Sequence, residues 1–279
     1  MLEDAAVFHE PRSIGAVLKR GQPRASTCGD FPSHKMTPTS QLLDDYERDG
    51  VVVVREFLTA EQVADVRREL DCYIREDLAT KPADAATREA DGLTVRNLWR
   101  LEQHHPKLRA WAESAEIRAL IAPLVRGEPV LAGIETFNKP ARIGSGVPPH
   151  QDNAYFCQTP PDMLTVWIAI DQVTEANGPV FYVKGSHRCG VLPTRPSGVR
   201  GNSIGLADPP DVPPGAQFCA LLAPGDATIH HCNTIHHSAP NTTEQARLGF
   251  LLVFRGSHTQ IEPTLHAAYT AAASTTPPA

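Results

Sequence analysis

Residues 163–170 read Met163-Leu164-Thr165-Val166-Trp167-Ile168-Ala169-Ile170, an apolar run rich in β-branched and aromatic side chains. Its length and composition predict a strand, and Asn177-Gly178-Pro179 soon after it predicts a turn. Similar runs recur at 130–137, 179–183, 218–222, 227–235 and 248–254. Gly185-Ser186, Pro224-Gly225-Asp226 and Pro240-Asn241 punctuate them. Upstream the period changes. Residues 41–49 read as a short helix, followed by the strand-like Val51–Val54. Thr59-Ala60-Glu61-Gln62 has capping-box spacing, and Val63, Val66, Leu70, Tyr73 and Ile74 recur behind it at helical intervals. Leu108 and Trp111 follow Pro106, and Ser114 precedes Ile117, Leu120, Ile121 and Leu124 as a cap. Residues 84–91 are polar and read as a loop. Helices first and strands after predict an α+β chain with a mainly β core. The architecture expected is a double-stranded β-helix, a jelly-roll or cupin-like barrel, with N-terminal helices packed on one outer face.

The 279 residues, 41% of them hydrophobic and 21% charged, suffice for one large mixed domain. We read 36–262 as that domain, 1–35 as a poorly ordered tail and 263–279 as a frayed end. An ordered arm over the core is the alternative for the first segment, and Met36 is an alternative start. The Pro- and Gly-rich stretch 188–215 lacks any period and reads as a binding loop or lid. With 26 Lys and Arg against 32 Asp and Glu, the net charge of −6 argues against a nucleic-acid binder. No run is long and apolar enough for a membrane span, and no secretory leader is legible. Six cysteines without a CxxC pair suit a reducing compartment, so a cytoplasmic protein is expected, with a monomer as the default.

His150-Gln151-Asp152 carries the strongest local chemistry. On a strand, residues i and i+2 share a face, about 7 Å apart. An imidazole and a carboxylate so placed are two thirds of the 2-His-1-carboxylate triad that holds non-haem Fe(II). A solvated pair is the plain alternative. A third ligand must come from elsewhere, and 227–238 holds His230, His231, His236 and His237. Alternation puts His230 and His236 on one face and cannot choose between them; His231 and His237 read as structural. Arg247 heads an apolar strand and needs an anionic partner, either a ligand or an internal carboxylate.

Taken together, these stretches resemble the phytanoyl-CoA dioxygenase (PhyH) family of Fe(II)/2-oxoglutarate-dependent oxygenases. The motifs that carry the resemblance begin with Asn138-Lys139-Pro140, Pro149-His150-Gln151-Asp152, the strand through Trp167 to Asp171, and Asn177-Gly178-Pro179-Val180. Lys184-Gly185-Ser186-His187, Gly225-Asp226, His236-His237-Ser238-Ala239-Pro240-Asn241 and Arg247 complete them. The resemblance implies His150, Asp152 and His236 as iron ligands. It implies Arg247 as the clamp for the far carboxylate of 2-oxoglutarate, with Ser238 and Trp167 beside it. Arg96 and Lys139 are weaker candidates for an upstream basic contact, and Arg96 reads more readily as a surface residue. His187 reads as a structural turn residue, the Asn177-Gly178 turn as no part of a site, and Phe156 and Cys157 as possible substrate neighbours by proximity alone.

The implied cofactors are Fe(II), 2-oxoglutarate and O₂. The implied reaction is hydroxylation of a small molecule with release of succinate and CO₂. Desaturation, epimerisation and ring closure at the same iron are alternatives. Asp152 fills the position that related halogenases leave small. A non-catalytic jelly-roll binding protein and a hydrolytic zinc site are readings from other classes. The substrate itself is not legible.

Overall fold

The computed structural model describes residues 38–274, apart from residues 200 and 214. The expectation for 1–35 therefore lies outside the described residues.

Helix α1 (Ser40–Asp49) begins where Thr39 Oγ1 accepts the Leu42 N–H, and ends at Gly50, whose φ of +71° closes the last turn. Strand β1 (Val51–Val54) follows. Helix α2 (Ala60–Cys72) starts with both capping-box bonds: Gln62 N–H to Thr59 Oγ1 at 3.2 Å and Thr59 N–H to Gln62 Oε1 at 2.8 Å. Strand β2 (Ala86–Arg88) forms within the stretch 84–91 expected as a polar loop, and pairs with β3 (Val95–Leu98) beyond it. Helices α3 (Leu101–His104), α4 (Pro106–Ala112) and α5 (Ala115–Ile121) complete the helical part. Ser114 stands at the N-cap of α5 without a side-chain cap bond.

The strand-rich part runs β4 (Pro129–Lys139), β5 (Val147–His150), a single turn α6 (Asn153–Phe156), β6 (Gln158–Thr159), β7 (Met163–Ala169) and β8 (Val180–Val183). It continues with β9 (Thr194–Val199), β10 (Asn202–Leu206), β11 (Gln217–Cys219), β12 (Ala227–His231), β13 (His236–Ser238), β14 (Arg247–Gly256) and β15 (Gln260–Ile261). One sheet has the order β1-β12-β7-β14-β4-β3-β2, and the other β11-β8-β13-β5. All of these pairings are antiparallel.

Alternation along β14 divides the core. Phe250, Leu252 and Phe254 pack with Val66, Leu70, Leu108 and Leu120 of the helices. Leu251 instead joins Trp167 and Tyr182, which reaches over from the second sheet. The long sheet is thus covered by helices outside and faces the short sheet inside, as expected for the double-stranded β-helix. Each fully buried Leu or Phe contributes about 1.5–3 kcal/mol, more than a helix cap, so packing holds the helices to the sheet.

Three stretches differ from the sequence reading. The 227–235 run is not one strand: β12 ends at His231, and the chain turns before entering the other sheet at His236. The 188–215 stretch holds the β9–β10 hairpin, whose pairing shifts register between Asn202 and Ile204. Residues 263–274, expected to fray, form helix α7 (Pro263–Ser274) with its neighbours in α6 and the hairpin. Tyr155 joins these parts. Its hydroxyl donates to the Ile204 carbonyl at 2.6 Å, and its ring lies 5.8 Å from that of Tyr269.

Candidate metal centre

His150 ends β5 and His236 begins β13, and the two are directly opposite in the register of the short sheet. Asp152 is not on the strand. Its φ of −58° and ψ of −35° belong to the α region, at the N-cap of α6. The shared face assumed for i and i+2 on a strand is therefore not what aims the carboxylate. The chain bends at Gln151, whose buried side chain is bound on three sides. It donates to the carbonyls of Gly190 and Asn233 at 2.7 and 2.8 Å and accepts from Leu192 N–H at 2.8 Å.

The three side chains converge. Their ligand atoms all lie within 4.8 Å of one another. Asp152 Oδ1 is 3.7 Å from His150 Nε2 and 3.5 Å from His236 Nε2. Each imidazole is oriented from behind: His150 Nδ1 lies 3.0 Å from the Pro148 carbonyl and His236 Nδ1 2.9 Å from the Thr234 carbonyl. A carbonyl can only accept, so Nδ1 carries the proton and each Nε2 presents a lone pair. Burial holds both imidazoles below the ordinary histidine range, which keeps them neutral and ready to ligate. Burial would raise the Asp152 carboxyl, but the surrounding imidazoles of His236, His230 and His150 outweigh it and hold the group ionised.

The second oxygen of Asp152 is already occupied. Oδ2 accepts from Thr165 Oγ1 at 2.8 Å and from His230 Nε2 at 3.1 Å. Periodicity left His230 and His236 as equal candidates; the turn after β12 separates them. His236 reaches the cluster, while His230 stays on the long sheet and supports the carboxylate. Its role had no signal in the sequence beyond its parity with His236. His231 accepts the Asn233 N–H at Nδ1, and His237 stacks on Phe181 with ring centroids 5.0 Å apart. His187 lies 3.1 Å from the Glu47 carbonyl and packs against Gly50. Cys157 is buried at the end of α6 with φ +52°, and Phe156 packs with Met163, Cys232 and Val253.

Arg247 begins β14 and is almost wholly buried, with its guanidinium 5.0 Å above the Trp167 ring. One terminal nitrogen donates to the Gly178 carbonyl, and Nε has no partner. Among the described residues no carboxylate pairs with it: the carboxylate of Asp171 goes to Arg67 and to Leu248 N–H. Burial lowers Arg247 to about 10, which leaves it charged at neutral pH. Lys139 stands opposite it in register and is lowered to about 6 by burial and then by Arg247 and Arg96. Arg96 is not a surface residue; it is buried, 3.5 Å from Glu89, with Nε unpartnered. Ser238 is buried two residues beyond His236. The Asn177-Gly178 turn, read from the sequence as no part of a site, packs against Arg247 and Lys139. Gly178 supplies the acceptor for Arg247, and a Cβ there would lie 2.6 Å from Lys139 Cδ.

The donor set of two neutral imidazoles and one carboxylate fits Fe(II), whose remaining positions stay open to ligands. The buried, unpaired guanidinium with its orphaned Nε fits the distal carboxylate of 2-oxoglutarate.

The sequence model of the phytanoyl-CoA dioxygenase (PhyH) family matches residues 46–249. A phytanoyl-CoA dioxygenase domain-containing protein 1 homolog of Dictyostelium discoideum is 26% identical over 258 residues, covering 78% of this chain and 92% of the relative. The crystal structure of EctD from S. alaskensis with 2-oxoglutarate and 5-hydroxyectoine superposes with a TM-score of 0.69. It is 18% identical and covers 84% of this chain and 81% of that one. The non-heme α-ketoglutarate-dependent epimerase SnoN of nogalamycin biosynthesis, 26% identical, gives a TM-score of 0.62 with coverages of 80% and 85%. No helix of the described residues is long and apolar enough to cross a membrane. On its fold, its motifs and the family match over most of its length, this chain belongs to the phytanoyl-CoA dioxygenase (PhyH) family of Fe(II)/2-oxoglutarate-dependent oxygenases.

Proposed function

We propose that the chain hydroxylates an unactivated C–H bond of a small-molecule metabolite, with His150, Asp152 and His236 as the iron ligands. The observation that carries this reading is the meeting of those three side chains with an unpaired, buried Arg247 in the same barrel. A zinc hydrolase needs no such arginine, and a binding protein needs no open triad. When bound, the iron with 2-oxoglutarate and O₂ supplies an oxidant that takes a hydrogen from the substrate, releasing succinate and CO₂.

The chain's own residues prepare the site. The Pro148 and Thr234 carbonyls hold the imidazoles in the ligating tautomer. Thr165 and His230 bind Oδ2 of Asp152 and so leave Oδ1 to face the imidazoles. Arg247, with Trp167 beneath it and Lys139 opposite it in register, orients the dianionic cosubstrate through a charge-assisted contact shielded from water, with Ser238 sharing the far carboxylate. Tyr155 packs edge-on against His150 with ring centroids 6.0 Å apart and links it to the hairpin beside the site. A monomer acting in the cytoplasm on a free small molecule, rather than on nucleic acid, fits the acidic balance and the free cysteines among the described residues.

SnoN's description as an epimerase keeps stereochemical inversion as a second outcome of the same centre. The test is Fe(II)-dependent, aerobic conversion of 2-oxoglutarate to succinate across a substrate collection, followed by mass analysis of the organic product. Gain of one oxygen supports hydroxylation, and an unchanged mass with inverted configuration supports epimerisation. Succinate formation unaltered in Asp152→Ala would remove Asp152 from the iron site.

A further inference from the structure

The interior face of β4 presents Gly133, Glu135, Phe137 and Lys139 in turn, because residues two apart on a strand share a face. That this face looks between the sheets follows from register. Glu135 is opposite Leu251, which is opposite Trp167, and both belong to the apolar cluster between the sheets. The adjacent Ile134 packs with the helices on the other side.

Gly133 is opposite Val253, which is opposite Thr165, the donor to Asp152. Glu135 Oε1 lies 3.5 Å from the point a Cβ on Gly133 would occupy. Its carboxyl therefore leans away from Lys139 and Arg247, towards the row that adjoins the metal ligands.

Among the described residues nothing forms a hydrogen bond or ion pair with this carboxyl. Burial, with the negative charges of Asp152 and Glu102, pushes it up to about 8. Glu135 is half-buried, so its carboxyl is open to the space between the sheets, and its ionised form faces that space without a countercharge, which calls for a cation. No cation of the cosubstrate end supplies it, since Lys139 and Arg247 lie beyond Phe137 on the far side. The charges of Fe(II) and Arg247 are taken up by Asp152 and the cosubstrate dianion. Arg100 stabilises the Glu135 charge only weakly, as the smallest of these influences, and is itself paired with Asp84 at 2.7 Å. Glu135 is thus left without a cation of its own on the metal side of the barrel.

We propose that Glu135 is a specificity-determining residue that binds a protonated amine of the primary substrate beside the iron centre. This deepens the oxygenase reading and rests on it. An alcohol could accept or donate a hydrogen bond here but would not neutralise the carboxylate, and a substrate carboxylate would be repelled by its ionised form.

The test uses the full chain with Fe(II), 2-oxoglutarate and O₂. The probes are matched sets on one carbon skeleton, such as cyclohexylamine, cyclohexanol and cyclohexanecarboxylate, or phenethylamine, phenethyl alcohol and 3-phenylpropionate. Succinate formation above the rate without probe is the readout. The expected result is acceleration by amines ahead of their alcohol and acid counterparts. Half-saturation by the active amine should rise at least tenfold in Glu135→Gln and return towards the natural value in Glu135→Asp. Preference for the alcohols or acids, an unchanged half-saturation in Glu135→Gln, or no acceleration by any amine while probe-free turnover persists, would each overturn it. The amine preference of the natural protein is read whether or not a variant folds. Loss of the probe-free, iron-dependent turnover itself would instead refute the oxygenase reading.

Discussion

His230 Nε2 lies 3.1 Å from Asp152 Oδ2, so a histidine of the long sheet holds the carboxylate that faces the two histidines of the short one. The pairing splits the two Asp152 oxygens into one bound by protein and one turned towards the imidazoles. It also ties the two sheets together at the site. With Oδ2 held by Thr165 and His230, Oδ1 would be the oxygen that Asp152 offers to a metal ion.

Removing this support should loosen the metal rather than the fold. Supporting partners of metal ligands are typically worth 10–100-fold in affinity, and we expect a loss in that range for His230→Ala. Fe(II) or Co(II) titration of natural and variant protein measures it. Equal affinity would mean that Thr165 alone positions Asp152.

Arg247 should act on the cosubstrate far more than on the primary substrate. Breaking a buried charge-assisted pair costs about 3–5 kcal/mol, so Arg247→Ala should raise the 2-oxoglutarate requirement by orders of magnitude. Calorimetric titration with 2-oxoglutarate and the two KM values give the comparison. Equal effects on both substrates would make the arginine a structural residue.

Gly178 has φ +84°, and a Cβ there would meet the Ala239 carbonyl oxygen at 2.5 Å. Gly178→Ala should therefore cost roughly 1–3 kcal/mol and weaken 2-oxoglutarate binding as well, since its carbonyl anchors Arg247. Thermal unfolding and cosubstrate titration test the two parts separately. A stable variant that binds normally would show that the turn can move without disturbing the guanidinium.

The metal-free protein should lose stability as the pH falls from about 6.5 towards 4. Burial, and then the neighbouring His187, lower His231 to about 4, whereas an unfolded chain takes up that proton near about 6.5. Between those values the unfolded state binds more protons, so acid favours unfolding. His231 Nδ1 also accepts the Asn233 N–H, a bond that protonation would remove. His231→Asn should flatten this part of the stability–pH curve, as followed by urea unfolding. An identical slope in the variant would assign the dependence to other groups.

The fold class was legible because its signals are local. The capping box at Thr59 to Gln62 and the apolar run through Trp167 appear where hydrogen-bond geometry and period demand them. The helix at 263–274 and the β9–β10 hairpin were not legible. The Ala-rich helix has little apolar period of its own, and its environment comes from Tyr155 and the hairpin. The Arg96 reading failed for a related reason. A charged residue on a short strand looks like surface until the strand is seen to form the wall of a barrel.

By itself the order of residues determined that this chain would place a His-x-Asp pair, a distal histidine and an arginine at the family's spacing on a strand-rich barrel. Alternation alone could not choose between His230 and His236, the family motif implied His236, and the tertiary structure supplies the physical reason that it is the one to meet the pair. Alternation is a property of one continuous strand, and the turn between His231 and His236 ends that continuity. Only the tertiary structure decided that Arg247 lies buried without an internal acid, and that Glu135 leans towards the metal side. Both depend on which strands stand opposite each other, a relation between residues remote along the chain that no local pattern encodes.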